Sequence, residues 1–268
     1  MPSNLFSRSI WGHTLFARRW TILLWFGATL VSIFGVALLF PPIKETMAGI
    51  SNSVPDSMKV WFGDAQTWQS YAGFSAQEIF LQMTILPIIM AIVFGVAFLA
   101  GDEENRIMLT TLARPIKRES YYLQKYLALV IFIVLVMTGF GISAVLGGVM
   151  LGEKVDVMGF VNCTAMTTLL VLTLGTWAFA IGAITGRKNF GGIIVGFYAF
   201  VAYFIMSLSE SAKIIEQLNY GSLFRYLDAS TVMANGLEIR HVVVFLFAIA
   251  VPLIVALPIF IRRDLSTR

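Results

Sequence analysis

Six stretches of this sequence, Trp20–Phe40, Ile79–Ala100, Leu127–Leu151, Met158–Thr185, Phe190–Leu208 and Val242–Ile261, are mostly apolar and carry no charged side chain. Crossing the hydrocarbon core of a bilayer takes roughly 20 such residues in a helix, so each run predicts one transmembrane helix. The runs are continuous rather than alternating, which excludes a β-barrel, the other structure able to satisfy its own backbone in lipid. The fourth run is the longest and is expected to tilt or to begin in the outer interface. Composition agrees, with 58% of the 268 residues hydrophobic and 13% charged. A soluble domain carries about a quarter charged residues. The expected fold is an all-α integral membrane protein, one transmembrane domain over residues 1–268.

Basic residues give the orientation. Most of the 19 fall in four segments that an even number of spans places on one side. These are the N-terminal segment with Arg8, Arg18 and Arg19, the loop from Arg106 to Lys125, the short turn with Arg187 and Lys188, and the tail with Arg262, Arg263 and Arg268. Acidic residues run the other way, so both termini are expected in the cytoplasm. Topology and contact with anionic headgroups explain the basic excess without nucleic acid. A cleaved signal peptide is not expected, because the first apolar run begins only at residue 20 and no small-x-small site closes it.

Between the spans, residues 1–19 hold Phe6, Ile10 and Trp11 on one helical face, with Arg8 and Arg19 elsewhere. That pattern predicts a helix lying in the inner interface. The outer loop 41–78 contains Pro41-Pro42, and its tryptophans Trp61 and Trp68 are expected at headgroup level. The outer loop 209–241 is expected to form two short helices, Glu210–Leu218 and Ser230–Ile239. The loop 102–118 is the most informative. Asp102, Glu103 and Glu104 precede a short helical stretch, where acids favour the positive N-terminus. Met108, Leu109 and Leu112 give that stretch a small apolar face, Arg114 sits near its end and Pro115 stops it. Tyr121, Tyr122, Lys125 and Tyr126 then read as an interfacial collar. By itself the loop suits either a surface-lying amphipathic segment or a dock for a cytoplasmic partner.

Catalytic signatures are missing. The chain has no G-x-x-x-x-G-K-[ST], so it does not bind nucleotide through a P-loop. His13 and His241 are predicted on opposite sides of the membrane and cannot share a metal. The single cysteine, Cys163, excludes an intrachain disulfide and a cysteine-rich metal site, and its apolar surroundings read as core. Glu103-Glu104 with Arg106 departs from the E-E-x-x-x-R of membrane-embedded prenyl-protein proteases, whose histidines are also missing. Uncharged spans argue against an ion-coupled carrier, because intramembrane carboxylates would carry the ion. Ser143–Gly147, Ala144–Gly148, Gly182–Gly186 and Gly192–Gly196 have the small-xxx-small spacing of close helix crossings, within one chain or across a dimer.

Taken together, the six spans, the basic amphipathic N-terminus and two motifs resemble the type-2, exporter-like permease family of ATP-binding-cassette transporters. One motif is Glu103-Glu104 followed by Leu112-Ala113-Arg114-Pro115-Ile116-Lys117-Arg118, then Tyr121 or Tyr122 and Gln124-Lys125; the other is Phe260-Ile261-Arg262-Arg263-Asp264-Leu265. Where relatives often have Gly-Thr, this chain has Arg106-Ile107. The resemblance implies a permease subunit in a bacterial or archaeal plasma membrane, exporting a hydrophobic or amphipathic substrate. It implies two partner ATPase subunits that hold ATP and Mg, a second permease subunit, and no cofactor in this chain. It also implies a short coupling helix between spans two and three, with Glu103, Glu104, Arg106, Met108, Leu109, Leu112, Arg114 and Pro115 docking the ATPase. Gly192 and Gly196 would then serve dimer or helix packing. Some permeases of this kind resemble force transmitters for extracytoplasmic machinery, which is the alternative.

Overall fold

A computed structural model describes residues 9–50, 67–113, 116–208 and 217–264. Regular structure in these residues is helical. A short helix, α1 (Ile10–Ala17), breaks at Arg18 into α2 (Arg19–Ala37), and α2 turns through Leu38 into α3 (Phe40–Ile50). Pro41 and Pro42 fall in the first turn of α3, where a missing N–H costs nothing. The outer loop expected from residue 41 therefore begins as helix. On the far side of that loop, α4 (Tyr71–Phe74) runs into a π-helical segment (Ser75–Gln82), and α5 (Ile85–Glu104) follows. Trp68 is buried with its ring 5.9 Å from Phe74, rather than standing at a headgroup. Trp61 lies outside the described residues.

After α5 come α6 (Ile107–Leu112), α7 (Arg118–Met150), α8 (Val157–Thr185) and α9 (Lys188–Leu208). The chain ends with two 3-10 turns (Asn219–Gly221 and Leu223–Tyr226), α10 (Ala229–Asn235) and α11 (Ile239–Arg262). Of the two outer helices expected in 209–241, the second is present but shorter. Asp228 caps it, accepting from Thr231 N–H at 3.2 Å, and Gly236 ends it. Residues 210–216 of the first are outside the described residues. Six helical segments are long and apolar enough to cross a membrane, as the sequence predicts.

The bundle is built around α8, which packs on α5, α7, α9 and α11. Two-thirds (67%) of the spanning window is buried in the segments containing α5 and α8, against 11% in α11. Polar residues do not breach this core. Thr164, Thr167, Thr168, Thr173 and Thr176 each donate to the carbonyl four residues back, satisfying the hydroxyl inside its own helix. Cys163 is buried, with its Sγ 3.2 Å from the Ala229 carbonyl. Pro252 inside α11 cannot donate to the Ala248 carbonyl. Trp177 Nε1 takes that carbonyl instead, at 2.8 Å, and so ties α8 to α11.

The start of α1 and the end of α11 lie at one end of the bundle. Gln124 near the start of α7 accepts from Ile10 N–H at 2.8 Å, and Arg118 Nη1 donates to the carbonyls of Ile261 and Arg263 at 2.9 and 2.8 Å. The end of α5 and the start of α7 are at this end too. The helix expected near the N-terminus is present as α1, which packs along α7 with Thr14 buried.

Candidate functional site

The acids expected to start a helix are in fact the last turn of one, since α5 runs unbroken to Glu104. Carboxylates at a helix C-terminus face the negative end of its dipole, so they persist there only with cations close by. Successive helical positions point about 100° apart, and the three side chains reach three different neighbours. Asp102 pairs with Lys125 of α7 and accepts from Tyr121 OH at 2.9 Å. Lys125 also donates to Thr14 Oγ1 of α1 at 2.9 Å. Glu103 pairs with Arg263, the residue that ends α11. Glu104 takes both the ammonium and the backbone N–H of Lys188, each at 2.9 Å, at the start of α9. The end of α5 is therefore a hub for spans three, five and six.

Burial ranks the three pairs. Asp102 and Glu103 are 5% and 3% exposed, and breaking a buried pair by removing one partner costs about 3–5 kcal/mol. The Glu104–Lys188 side chains are 40% and 37% exposed, where an ion pair is worth at most about 1 kcal/mol. Gly186, which caps α8 at φ 68°, lies under the Arg263 guanidinium. A Cβ there would sit 2.0 Å from Arg263 Nη1, so a side chain at this left-handed position would be strained and would also have to displace the Arg263 head group.

The tyrosine collar is also turned inward. Tyr121 and Tyr122 are buried, and Tyr122 packs on Phe179 with ring centroids 5.1 Å apart. Both tyrosines and Lys125 wedge the bases of α5, α8 and α11 together instead of touching headgroups. The sequence reads Lys125 as part of that collar. Its proximity to tyrosines and to the acids of 102–104 was the available signal that it pairs internally.

From this hub the chain leaves through Arg106, whose φ of 61° is the left-handed conformation that L side chains disfavour. The helix α6 follows, with Arg106 and Thr110 exposed, Ile107 50% exposed and Met108 fully buried. The expected docking residues thus divide. Glu104 and Arg106 face outward, while Glu103 and Met108 are packed inside and hold α6 to the bundle. Leu109 and Leu112 lie on α6, and Arg114 and Pro115 are outside the described residues.

Gly192 and Gly196 do not pack within the chain, because a Cβ at either would meet nothing within 4 Å. They line an apolar groove of about 530 Å³ between α5 and α9, with Ile89, Val93, Val96 and Ile193 on its walls and Lys188 at one end. The other small-residue pairs are filled from within, Gly147 by Ala37 and Gly148 by Tyr71. Among the described residues no group of His, Cys, Asp and Glu side chains could hold a metal ion.

Against known proteins, the model of a family described as ABC-2 family transporter protein matches residues 18–265. No curated protein matches the chain.

Proposed function

The chain belongs to the ABC-2 family of transporter proteins, and from that premise we propose that it exports a hydrophobic or amphipathic substrate, driven by a separate ATP-binding-cassette ATPase. A permease of this family is the transmembrane, non-catalytic component, so the energy enters from a partner. In this reading the end of the bundle that holds α1, α6 and the end of α11 faces the cytoplasm of a bacterium or archaeon. Two ATPase subunits sit beneath it, holding ATP and Mg²⁺, and a second permease subunit completes the membrane part.

The single observation that carries the reading is the position of α6. It is a short helix joined to α5 by a two-residue turn, its Met108 buried in the bundle and its Arg106, Ile107 and Thr110 exposed. A lever that transmits force needs one face fixed to the spans and one open to the partner. The cargo class rests on the groove between α5 and α9, whose lining is apolar except at the Lys188–Asn189 end. Such a surface suits an acyl or similarly apolar group better than a free ion, which would have to shed its hydration.

The test is charge reversal at the two arginines that flank α6 in the sequence. Arg106→Glu together with Arg114→Glu should leave membrane insertion unchanged and abolish co-purification of the ATPase, or its coupling to transport. Normal ATPase coupling in the double variant would sink the docking assignment.

A further inference from the structure

Three consecutive carboxylates in one helical turn hold three different partners, and those partners do not hold one another directly in the same way. Asp102 holds the base of α7 and, through Lys125, α1. Glu103 holds the end of α11, which Arg118 of α7 also grips by its carbonyls. Glu104 holds the first residue of α9. Immediately after them comes the turn into α6. We propose that Asp102, Glu103 and Glu104 are positioning residues that divide the movement of α6 among separate spans, each carboxylate governing one of them.

The proposal rests on the reading of α6 as the ATPase-facing lever, and it deepens that reading. Its physical basis is geometric. A charge pair resists separation of its two partners far more than an apolar contact of the same size resists sliding. The helix α5 ends inside the cluster, so a push on α6 reaches α5 first, and at this end of the bundle these pairs pass it to α9 and α11, alongside the apolar packing of α5 on α9 at Gly191 and on α8. The strengths also differ. Glu103 and Asp102 are buried, whereas the Glu104–Lys188 pair is half exposed. The grip on α11 is therefore stiff and the grip on α9 compliant. Of the two helices, α9 lines the open groove, so the compliant joint serves the helix that has room to move.

The two sequence motifs that carry the family resemblance meet here as well. Glu103 comes from the first and Arg263 from the last, and the fold joins them across 160 positions. This gives the closing Arg-Asp motif a mechanical task that its place in the chain does not suggest.

The experiment uses the full chain in lipid nanodiscs, with Cys163→Ser as background and spin labels at two pairs of exposed sites. Thr110→Cys with Arg262→Cys reports α6 against α11, and Thr110→Cys with Phe190→Cys reports α6 against α9. The expected result is selective. Glu103→Gln broadens the Thr110–Arg262 distance distribution and leaves Thr110–Phe190 narrow, while Glu104→Gln does the reverse. The charge swap Glu103→Arg with Arg263→Glu restores the first distribution. If Glu103→Gln fails to insert, Glu103→Gln with Arg263→Gln removes both charges, leaves neither one unpaired and is read in the same way. Broadening of both distances by either variant, or of neither, overturns the proposal.

A second readout separates positioning from mere packing. In the complex with the ATPase, exchange of ADP for ATP and vanadate should shift a label at Phe190 in the unmodified hub, and Glu104→Gln should abolish that shift while α6 still moves. An unchanged shift overturns the proposal. Failure of the chain to bind any ATPase would instead sink the docking reading, and the nanodisc distances would still decide the hub.

Discussion

The helix α5 meets two neighbours through glycines and does so in opposite ways. Against α8 the seam is closed to backbone contact. A Cβ on Gly95 would lie 2.4 Å from the Gly175 carbonyl oxygen, and one on Gly175 would lie 3.2 Å from Ala91 Cβ. Against α9 the seam is closed only at Gly191, whose Cβ would lie 2.5 Å from Val96 Cγ1, and it opens at Gly192 and Gly196. In lipid no hydrophobic force drives helices together, so close packing must supply the association, and small residues allow it. The same residue type therefore marks a permanent joint on one side of α5 and a vacant surface on the other. Spacing alone does not distinguish the two.

Substitutions can break or sharpen this contrast. The largest effect is expected from Gly95→Leu, because the obstructing atom is backbone and cannot rotate away. A loss of about 3 kcal/mol or more is expected, read as failure to recover monodisperse protein in detergent. Gly191→Leu should cost about 1–3 kcal/mol, since Val96 can yield somewhat while the Ala178 carbonyl, 2.9 Å from the added Cβ, cannot. A thermal midpoint in nanodiscs equal to that of the unmodified chain would show that α9 is not anchored there.

Arg106→Gly should be milder and of opposite sign. Relief of the left-handed conformation is worth about 1–2 kcal/mol, and the greater freedom of glycine in the unfolded chain offsets about half of it. A small upward shift in thermal midpoint is expected, and a downward shift would mean that the arginine side chain stabilises the turn. The smallest effect on stability belongs to Gly192→Leu and Gly196→Leu. No atom obstructs them, and the gain in helix propensity is at most about 1 kcal/mol. Their thermal midpoints should be unchanged or slightly raised while transport by the assembled complex falls. If both fold normally and transport normally, the open seam has no part in function.

The sequence located the spans well because a run of uncharged residues has only one stable environment. It misjudged where the helices end for the same reason. Charge reads locally as loop, yet α5 extends through Asp102, Glu103 and Glu104 because each acid finds a cation within the protein. Tyr121, Tyr122 and Lys125 read as headgroup residues by the same logic, and they are interior. The short helix between spans two and three fell within the expected stretch, since an apolar face can be read locally. That Met108 turns in and Arg106 turns out depends on the angle at which α6 leaves α5. The left-handed turn at Arg106 sets that angle, and arginine gives no local signal of it.

What the sequence determined by itself is that this chain folds as six helices in lipid, with its basic segments gathered at one end. Backbone groups in a bilayer have no water to bond to, so each apolar run must satisfy itself as a helix wherever it lies. What only the tertiary structure decided is which cation each carboxylate holds and which glycine faces are filled. Glu103 and Arg263 are separated by 160 positions, and no local pattern encodes their meeting. Ion pairs and close crossings are properties of two surfaces together, and they exist only once the bundle has brought those surfaces into contact.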